Sequence, residues 1–519
     1  MTKFQLNGKS YALPFAIIAA NPTPCAAGSR RFVMLVARLS WPMLVLGLLL
    51  PYGASGDTIT LDRALELAFE RSPAMRSAGH SLEVSKRNLQ AQQAALRSRF
   101  GLTLTPYQTN RDRVFNPLVS AYNTQEETQL GGAFTINQPI VRTDGTLSVV
   151  ENFAWREAAS SFTGSVRERT YRNSLFLRYS QPLFTYNRTR LQLQELELAL
   201  ENARLSYAIQ KLQIESQVTR LFYNLFQGRE NVRIAGEELA NATSSFEIIQ
   251  SKVEAGIAAE EELFQADLNR ANRRATLNSA RLQYENALDE FKLLLGQDLV
   301  TDLDVAADLR KQLIDVDLEK AIAHGLEYRM ELRQADIGVR NALNDLVRTQ
   351  AQNEFKGNIE LTYGLTNTDG DLVDLLDSPT RNQGVAVQLT IPLFDWGEKE
   401  HRVAASHQQV AQRRLSSEDE RNRTRLGIRQ AHRDLQNQRI QIEIAEKNVA
   451  NARRTYEINL ERYRNGDLSS KDIEFYQTQL AREQLNEVGA LINYQLFLLD
   501  LKVRALYDFV RDEPVLVSL

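Results

Sequence analysis

Few side chains in this sequence are spaced for catalysis or for metal binding. The five histidines are scattered, and none stands in a His-Glu-x-x-His pattern, which would place two imidazoles and a carboxylate on one helix face. No Gly-x-Ser-x-Gly nucleophile turn and no phosphate-binding glycine loop occurs. His401 and His407 lie in a polar helical stretch and are expected on the surface, while Glu260-Glu261-Glu262 is typical of a solvated helix start. The sequence therefore predicts no enzyme, no cofactor and no metal site.

The segment 1–56 differs in composition from the rest of the chain. It contains five prolines and five basic residues but no acidic residue. An apolar run, Trp41–Leu50, is followed by small residues where a signal peptidase would cleave, before Asp57. The run is shorter than the roughly 20 residues that a membrane-spanning helix needs. Residues 1–56 are therefore predicted to be a leader with a signal peptide, and the part before Met34 to be an over-long start.

Removal of this leader would make the chain more acidic. The leader carries five of the 62 basic residues and none of the 65 acidic residues, so the formal net charge would change from −3 to −8. Nucleic acid is not an expected partner of such a chain. Cys25, the single cysteine, would be removed with the leader, so no disulfide is expected in the mature protein. The residues before Cys25 do not resemble a lipid-attachment site, and no lipid anchor is predicted.

Matched spacing indicates a duplicated unit. The tripeptides Pro182-Leu183-Phe184 and Pro392-Leu393-Phe394 are each followed, at the same distance along the chain, by a glycine, Gly256 or Gly466. Convergence of Ala-, Leu- and Glu-rich helices could explain the additional helical matches in this register, but it does not explain shared proline and glycine positions. The predicted organisation is a leader at 1–56, a first repeat at 57–315, a second repeat at 316–510 and a C-terminal tail at 511–519.

Each half is predicted to contain one very long helix. No proline lies between a Pro-Leu-Phe tripeptide and its glycine, and apolar residues recur at i, i+3, i+4 and i+7. A helix of that length would extend roughly 100 Å. A returning helix follows each glycine, ending near Gly296 in the first half and near Tyr507 in the second. Shorter helical segments open the halves, at 61–98 with a break at Ser72-Pro73, and at 318–353 with a break near Gly325.

Between these helices the apolar period changes to two, which predicts strands with one apolar and one polar or small face. Four strands are expected: Leu102–Thr105, Leu175–Ser180, Ile359–Leu365 and Val385–Ile391. The stretch 366–383 is predicted to be a polar loop. The first half has about 47 additional residues, in which 133–140 and 146–153 could form a hairpin around Thr143-Asp144-Gly145. This hairpin could add strands to a sheet or form a loop, and the role of segment 110–172 stays open.

Strands of about ten residues have the length and alternation of strands that cross a bilayer. Four strands cannot close a barrel, which requires roughly eight or more and leaves no free edges. Several chains must therefore pool their strands, and three copies would supply twelve. The apolar faces would meet lipid, and the polar faces would line a water-filled lumen: Glu360, Thr362, Gln388 and Thr390.

The two junctions, Gln181-Pro182-Leu183-Phe184 and Ile391-Pro392-Leu393-Phe394-Asp395-Trp396-Gly397, resemble the strand-to-helix junctions of TolC-like outer-membrane efflux proteins. The resemblance extends over residues 57 to about 508. It implies a mainly α fold with a small β part: a homotrimer whose twelve-stranded barrel in outer-membrane lipid is continued by an α-helical periplasmic tunnel. It places 297–317 and the C-terminal tail in an equatorial region. It also implies two partners, a periplasmic adaptor protein and an inner-membrane transporter or ATPase.

The resemblance further assigns roles to the turns between long and returning helices. In the family these turns contact the adaptor, and here they contain Val253, Ala255, Gly256, Ile257, Asn465, Gly466, Asp467 and Leu468. Asp472 falls where the family places an acidic residue at the closed entrance, with Glu474 nearby and Glu262 as its counterpart in the first repeat. Without the resemblance, Gly256 and Gly466 need be no more than helix C-caps, and Asp472 is an acid at a helix start, where the helix dipole favours it.

The sequence is compatible with two functions. The favoured one is a passive exit duct of a tripartite efflux pump or type I secretion system, opened by its periplasmic partners. The alternative is a secreted periplasmic coiled-coil scaffold without a pore, in which the alternating segments are loops. A surface hydrolase or an autotransporter would need a nucleophile constellation or a complete barrel in one chain, and the sequence has neither. The cargo is not specified by any residue.

Overall fold

The computed structural model describes residues 57–117, 120–160, 166–306, 313–465 and 467–515. The predicted leader at 1–56, Gly466 and the last four residues of the predicted tail lie outside these ranges. In chain order the elements are β1 (Asp57–Ile59), α1 (Leu61–Arg71), α2 (Pro73–Ala95), β2 (Arg99–Asn116), β3 (Ala121–Ile140), β4 (Gly145–Ser160), β5 (Arg167–Leu183), α3 (Arg188–Glu254), α4 (Glu260–Leu295), β6 (Leu303–Val305), α5 (Leu318–Tyr328), α6 (Met330–Gln350), β7 (Lys356–Asp369), β8 (Thr380–Thr390), α7 (Glu398–Asn465), α8 (Ser470–Ala505), β9 (Tyr507–Asp508) and β10 (Glu513–Pro514).

The two halves open with paired short helices. The break between α1 and α2 falls at Ser72-Pro73 as predicted, because Pro73 has no N–H to donate and is tolerated only in the first turn of a new helix. The break between α5 and α6 falls at Arg329, slightly beyond the predicted site at Gly325. Gly325 serves packing instead: a Cβ there would clash with the side chain of Ile428 on α7, so glycine permits the close approach of α5 and α7.

The long helices agree with their prediction in length and position. α3 has 67 residues and α7 has 68, which corresponds to about 100 Å each. The returning helices α4 and α8 have 36 residues each. The interval from the start of α3 to the start of α7 equals the interval from the start of α4 to the start of α8. The helices of the two halves thus correspond one to one, while the repeat boundaries at 57–315 and 316–510 stay a prediction.

One antiparallel sheet contains all the long strands. Its order is β2-β3-β4-β5-β7-β8, so each strand is hydrogen-bonded to the next strand along the chain. Two small pairings lie apart from it: β1 pairs in parallel with β6, and β9 pairs with β10. The sheet therefore draws four strands from the first half and two from the second.

The prediction of four strands per chain is wrong, because the sheet of one chain contains six long strands. The number of strands in a barrel made from three copies stays a prediction. The additional pair, β3 and β4, is the hairpin whose role was open, and it belongs to the sheet. Strand lengths were also underestimated, because the outer parts of β2 and β3 carry polar side chains joined by ion pairs such as Arg111–Glu126 (2.9 Å) instead of alternating apolar residues. The loop predicted at 366–383 is shorter, since β7 continues to Asp369 and β8 begins at Thr380.

The apolar core lies where the short helices pack against the long ones. In the first half, Leu67 of α1 contributes to a buried cluster with Phe222 of α3 and Phe291 of α4. In the second half, Ala321 of α5 contributes to a buried cluster with Ile428 of α7. These clusters fix the short helices to the long hairpins. None of the helices in the described ranges has the apolar stretch that a bilayer crossing requires.

Candidate pore wall and helical tips

One face of the six-stranded sheet is apolar and exposed. A single row in register across five strands consists of Phe100, Ile136, Val149, Leu177 and Tyr363. On β4 the apolar band extends from Leu147 to Trp155, about 27 Å along the strand. With the strand tilt of about 40° found in outer-membrane barrels, this length corresponds to a height of about 21 Å, comparable to their apolar band of roughly 25 Å. Glu151 is a charged residue within this band, and nothing in the structure explains it.

The opposite face is polar. Ser148, Arg178 and Thr362 share one row, and the Nε of Arg178 lies 2.9 Å from Glu360 Oε1. The same face carries the four residues predicted to line the lumen. A shallow depression on it is lined partly by Thr103, Gln129, Asn152 and Arg172. A sheet with one apolar and one polar face has the pattern of barrel strands that separate lipid from a water-filled lumen.

At the first strand-to-helix junction, the added hairpin caps the long helix. β5 ends at Leu183, and Phe184 has a positive φ of 57° that turns the chain towards α3. The Asn187 side chain accepts a hydrogen bond from the Arg190 N–H (2.8 Å), as an N-cap does. Asp144, from the turn between β3 and β4, accepts hydrogen bonds from the Thr189 N–H (3.0 Å) and the Arg188 N–H (3.3 Å).

At the second junction, the capping carboxylate belongs to Asp395, which directly follows the Pro-Leu-Phe tripeptide. The Asp395 carboxylate accepts hydrogen bonds from the Lys399 N–H (3.2 Å) and the Gly397 N–H (3.1 Å), and these bonds lower the pKa of Asp395. The corresponding position of the first junction is Thr185, so there the carboxylate comes from Asp144. Phe394 and Trp396 stack edge to face with centroids 4.5 Å apart and are exposed, as expected for an aromatic belt at a membrane interface.

The far ends of the long helices form two tips, defined as residues 253–257 and 465–468. At the first tip, Gly256 has a φ of 73°; its N–H bonds to the Val253 carbonyl (2.9 Å), and the Ile257 N–H bonds to the Lys252 carbonyl (2.8 Å). This pair of bonds is a Schellman motif, in which glycine is favoured at the left-handed position. The C-cap role of Gly256 is therefore sufficient to explain the residue.

The second tip repeats part of this geometry. The Asp467 N–H bonds to the Arg462 carbonyl (2.9 Å), which is the long bond of the same motif. Gly466, at its centre, lies outside the described residues. Asn465 is the last residue of α7. Leu468 and Val253 both pack against a small buried cluster of Ile249, Tyr463 and Ile473, which joins the two tips. Ala255 and Ile257 are exposed, Ile257 by 75%.

Tyr463 holds the two tips together. Its ring is fully buried between α3, α7 and α8, and its hydroxyl donates a hydrogen bond to the Ser245 carbonyl (3.2 Å). The Lys252 ammonium donates to the Tyr463 carbonyl (2.7 Å) and lies over the same ring. Burial raises the pKa of Tyr463, so the phenol keeps its proton and remains a donor at neutral pH.

The three predicted gate carboxylates lie near the tips in different surroundings. Asp472 is exposed and forms a capping box at the start of α8: its N–H donates to the Ser469 hydroxyl (3.3 Å), and its carboxylate accepts from the Ser469 N–H (3.4 Å). The carboxylate also accepts from the Ser469 hydroxyl (2.6 Å). Glu262 lies in the first turn of α4, where its charge acts on Tyr463. Glu474 lies 3.9 Å from Arg273. The three carboxylates thus have different neighbours, and their role at the entrance stays a prediction.

Arg273 of α4 joins the two helical hairpins. Its guanidinium donates to Glu238 Oε1 on α3 (2.9 Å) and to Thr478 Oγ1 on α8 (2.6 Å), with Glu474 at 3.9 Å. The side chains of Arg273 and Glu238 are only 15% and 14% exposed. Burial raises the pKa of Glu238, and the charge of Arg273 opposes this effect. The described residues contain no grouping of side chains that could hold a metal ion.

Comparison with known proteins identifies the relatives of this architecture. Residues 64–297 and 326–502 match the model of the family described as outer membrane efflux protein. The chain belongs to this family. Its fold is similar to that of the Campylobacter jejuni CmeC outer membrane channel, with a TM-score of 0.66, 17% identity and coverage of 88% of this chain and 86% of that chain. The Neisseria gonorrhoeae MtrE outer membrane channel, in its open state, gives a TM-score of 0.63 at 14% identity, covering 86% and 88%.

A relative identified by sequence matches a smaller part of the chain. Protein CyaE of Bordetella pertussis is 23% identical over 288 residues, which are 54% of this chain and 60% of that protein. The match thus spans about three fifths of the relative. Membership of the outer membrane efflux protein family places this chain in the outer membrane, extending into the periplasm, and makes it a component of transport rather than an enzyme.

Several residues of this family member carry contacts that the sequence did not indicate. Arg273 and Glu238 lie on different helices, 35 residues apart, and no local pattern marks either of them. Asp144 was recognised only as part of a turn, although its carboxylate caps α3. Tyr463 lies near the second tip in sequence, but its contact with Ser245 joins residues 218 positions apart. Arg462 and Arg464, on either side of Tyr463, donate to residues of their own helix.

Proposed function

We propose that three copies of this chain form a passive exit duct across the outer membrane, used by a tripartite efflux pump or a type I secretion system. The observation that supports this most strongly is the sheet itself. It has an exposed apolar face, an opposite polar face and two edges, and it leads directly into helices about 100 Å long. A closed barrel made from several copies gives the backbone N–H and C=O groups of both edge strands hydrogen-bond partners, and it turns the apolar face towards lipid.

The tips are proposed to dock a periplasmic adaptor. Ile257 is exposed at the first tip, and Phe264 of α4 and Phe475 of α8 are exposed close to the tips along the returning helices. Such apolar side chains, at the end of the helices farthest from the sheet, form a surface suited to another helical protein. Energy for transport would come from an inner-membrane transporter or ATPase bound through that adaptor. Asp472, Glu474 and Glu262 are retained as candidates for the entrance.

Two experiments test the proposal. Membranes of the producing bacterium are washed with high salt and with urea, then extracted with detergent. We expect the protein to stay in the membrane until detergent is added and then to migrate as a trimer. Release by salt or urea would support the scaffold without a pore and would refute the channel.

Adaptor docking is tested by a photo-crosslinking residue at Ile257 or Asp467, with a matched position at Leu415 in the first third of α7. Leu415 is exposed but distant in sequence from both tips. We expect adducts with an adaptor protein from the tip positions and none from Leu415. Equal labelling from all three positions would contradict docking at the tips.

A further inference from the structure

We propose that each copy contributes all six strands to the barrel, so that three copies close an eighteen-stranded barrel in which β8 of one copy pairs with β2 of the next. The inference rests on the proposed trimeric channel, and it concerns the number of strands and the seam between copies. The alternative is a narrower barrel in which β3 and β4 lie outside the membrane and β2 pairs directly with β5.

The ladder places the added hairpin inside the sheet. Val149 of β4 pairs with Ile136 of β3 on one side and with Leu177 of β5 on the other. The pairing of β3 with β4 continues without interruption from the turn at Ile140–Gly145 to the far end at Gln125–Ser160. A hairpin that merely decorated the sheet would lack partners on its outer sides.

The β3–β4 hairpin also lies at the same height along the barrel axis as the strands beside it. Its turn reaches the strand-to-helix junction, where Asp144 caps α3 and the Gln181 side chain donates to the Thr143 carbonyl (2.7 Å). The hairpin therefore begins at the same end of the sheet as the helices and has the length to cross the bilayer: β3 has 20 residues and β4 has 16.

Both faces of the hairpin continue those of the flanking strands. The apolar face of β4 and the polar face at Asn152 are aligned with Leu177 and Ser174 of β5. If the hairpin lay outside the bilayer, its apolar face would be exposed to water, whereas in a barrel it faces lipid.

The edges of the sheet fit each other. Within the described chain, β2 pairs with β3 alone and β8 with β7 alone, and the two edge strands run in opposite directions. Within the apolar band, large side chains on these edges are more exposed than those on the inner strands: 51–73% at Leu389, Leu102 and Val385, for example, against 36–46% at Leu147, Leu177 and Tyr363. The difference is what a missing neighbour produces, and β8 of another copy supplies an antiparallel neighbour with an apolar face.

The number of strands in the barrel determines its diameter. With a strand spacing of about 4.8 Å and a tilt of about 40°, twelve strands give a backbone diameter of about 24 Å and eighteen give about 36 Å. The added hairpin would therefore widen the outer-membrane part of the duct by about half.

Cysteine pairs test the seam, because Cys25 is the single cysteine of the sequence and the described residues contain none. Val385→Cys is combined in turn with Phe100→Cys, Leu102→Cys and Leu104→Cys, and intact membranes are oxidised. We expect at least one pair to give covalent dimers and trimers on denaturing gels. Val385→Cys alone is the matched control, which should give no covalent trimer.

A second set of pairs tests the position of the hairpin within one chain. Val149→Cys with Leu177→Cys should give an intrachain disulfide, detected by mass spectrometry of peptides. Leu102→Cys with Leu177→Cys should give none, because two strands separate these residues. Formation of the Leu102–Leu177 disulfide would overturn the proposal, since it requires β2 to lie beside β5.

Electron microscopy of the unmodified trimer in detergent gives a measurement independent of any variant. A barrel about 36 Å across its backbone supports eighteen strands, and one about 24 Å across overturns the proposal while leaving the channel intact. Absence of any trimer would instead refute the proposed function, so the two failures are distinguishable.

Discussion

Replacement of Arg273 by alanine should loosen the junction between α8 and the α3–α4 hairpin. The guanidinium donates to Glu238 at 2.9 Å and to Thr478 at 2.6 Å, and both charged side chains are about 15% exposed. Breaking a fully buried ion pair costs roughly 3–5 kcal/mol, so this partly buried pair should cost about 2–3 kcal/mol. Burial already raises the pKa of Glu238, so this acid can take up a proton when Arg273 is absent. Protonation removes the unpaired charge, and the loss of stability should therefore lie nearer to about 2 kcal/mol than to about 3 kcal/mol.

This loss has a measurable consequence in local opening. A change of about 2–3 kcal/mol corresponds to a roughly 30- to 140-fold shift in an opening equilibrium. Amide hydrogen exchange of the detergent-solubilised protein should accelerate by that factor in peptides covering 470–482 and 262–276, with little change near the sheet. In planar bilayers, the variant should also open more often.

Arg274→Ala is the matched control. Arg274 is the next residue of α4, it is exposed, and no ion pair joins it to α3 or α8 in the described structure, so its replacement should change exchange by less than about twofold. The double variant Arg273→Met with Glu238→Gln should recover part of the loss, because it removes both charges. Exchange rates of Arg273→Ala within threefold of the unmodified protein would refute the assignment of this contact as the link between the hairpins.

Three further predictions concern the sheet, its junction and the C-terminal segment. Gly364→Ala should destabilise the proposed trimer by about 1–3 kcal/mol, because the new Cβ would clash with the Phe176 ring of β5. Gly384→Ala on the same face is the control, since a Cβ there meets nothing within 4 Å. Thermal dissociation of the proposed trimer on gels compares the two variants. Asp144→Ala should cost about 1 kcal/mol through the lost cap, and Asp144→Asn should lose less, measured in the same assay. Burial would raise the pKa of Asp508, but hydrogen bonds and the charge of Lys502 lower it overall, so its stabilising contribution is present above about pH 4 and is lost as the pH falls through its folded pKa. Exchange protection of residues 503–515 should therefore persist from pH 8 to 5 and fall at lower pH, and protection that is unchanged at pH 3 would contradict this.

The sequence predicted the helices better than the strands, for a physical reason. A 67-residue helix has many turns over which its apolar period accumulates, and the left-handed backbone at its end favours a glycine, Gly256. The outer parts of β2 and β3 lack that signal, because cross-strand pairs such as Arg111–Glu126 replace apolar alternation. Two of six strands were therefore left undecided, although their turn at Thr143-Asp144-Gly145 was recognised.

The candidate site was predictable only where it depends on local geometry. The Schellman bonds around Gly256 and the capping position of Asp472 follow from neighbours within a few residues. The contacts of Arg273 and Tyr463 join helices that are close only after folding, so no spacing in the sequence could indicate them. The role of Asp472 as an entrance residue remains a prediction, and its capping box gives a sufficient reason for an acid at this position.

The topology explains why the sheet can differ from the expected four strands while the helices of the two halves keep their one-to-one correspondence. Insertion of one strand would reverse the direction of one edge, so that the seam between copies would need a parallel pairing in an otherwise antiparallel barrel. Insertion of a hairpin preserves both edge directions, so β2 and β8 remain antiparallel and closure between copies stays possible. The added turn also lies at the helical end of the sheet, where Asp144 takes the place of the acid that the first junction lacks at Thr185. A hairpin is therefore the smallest unit by which such a barrel can widen without altering the helices below it.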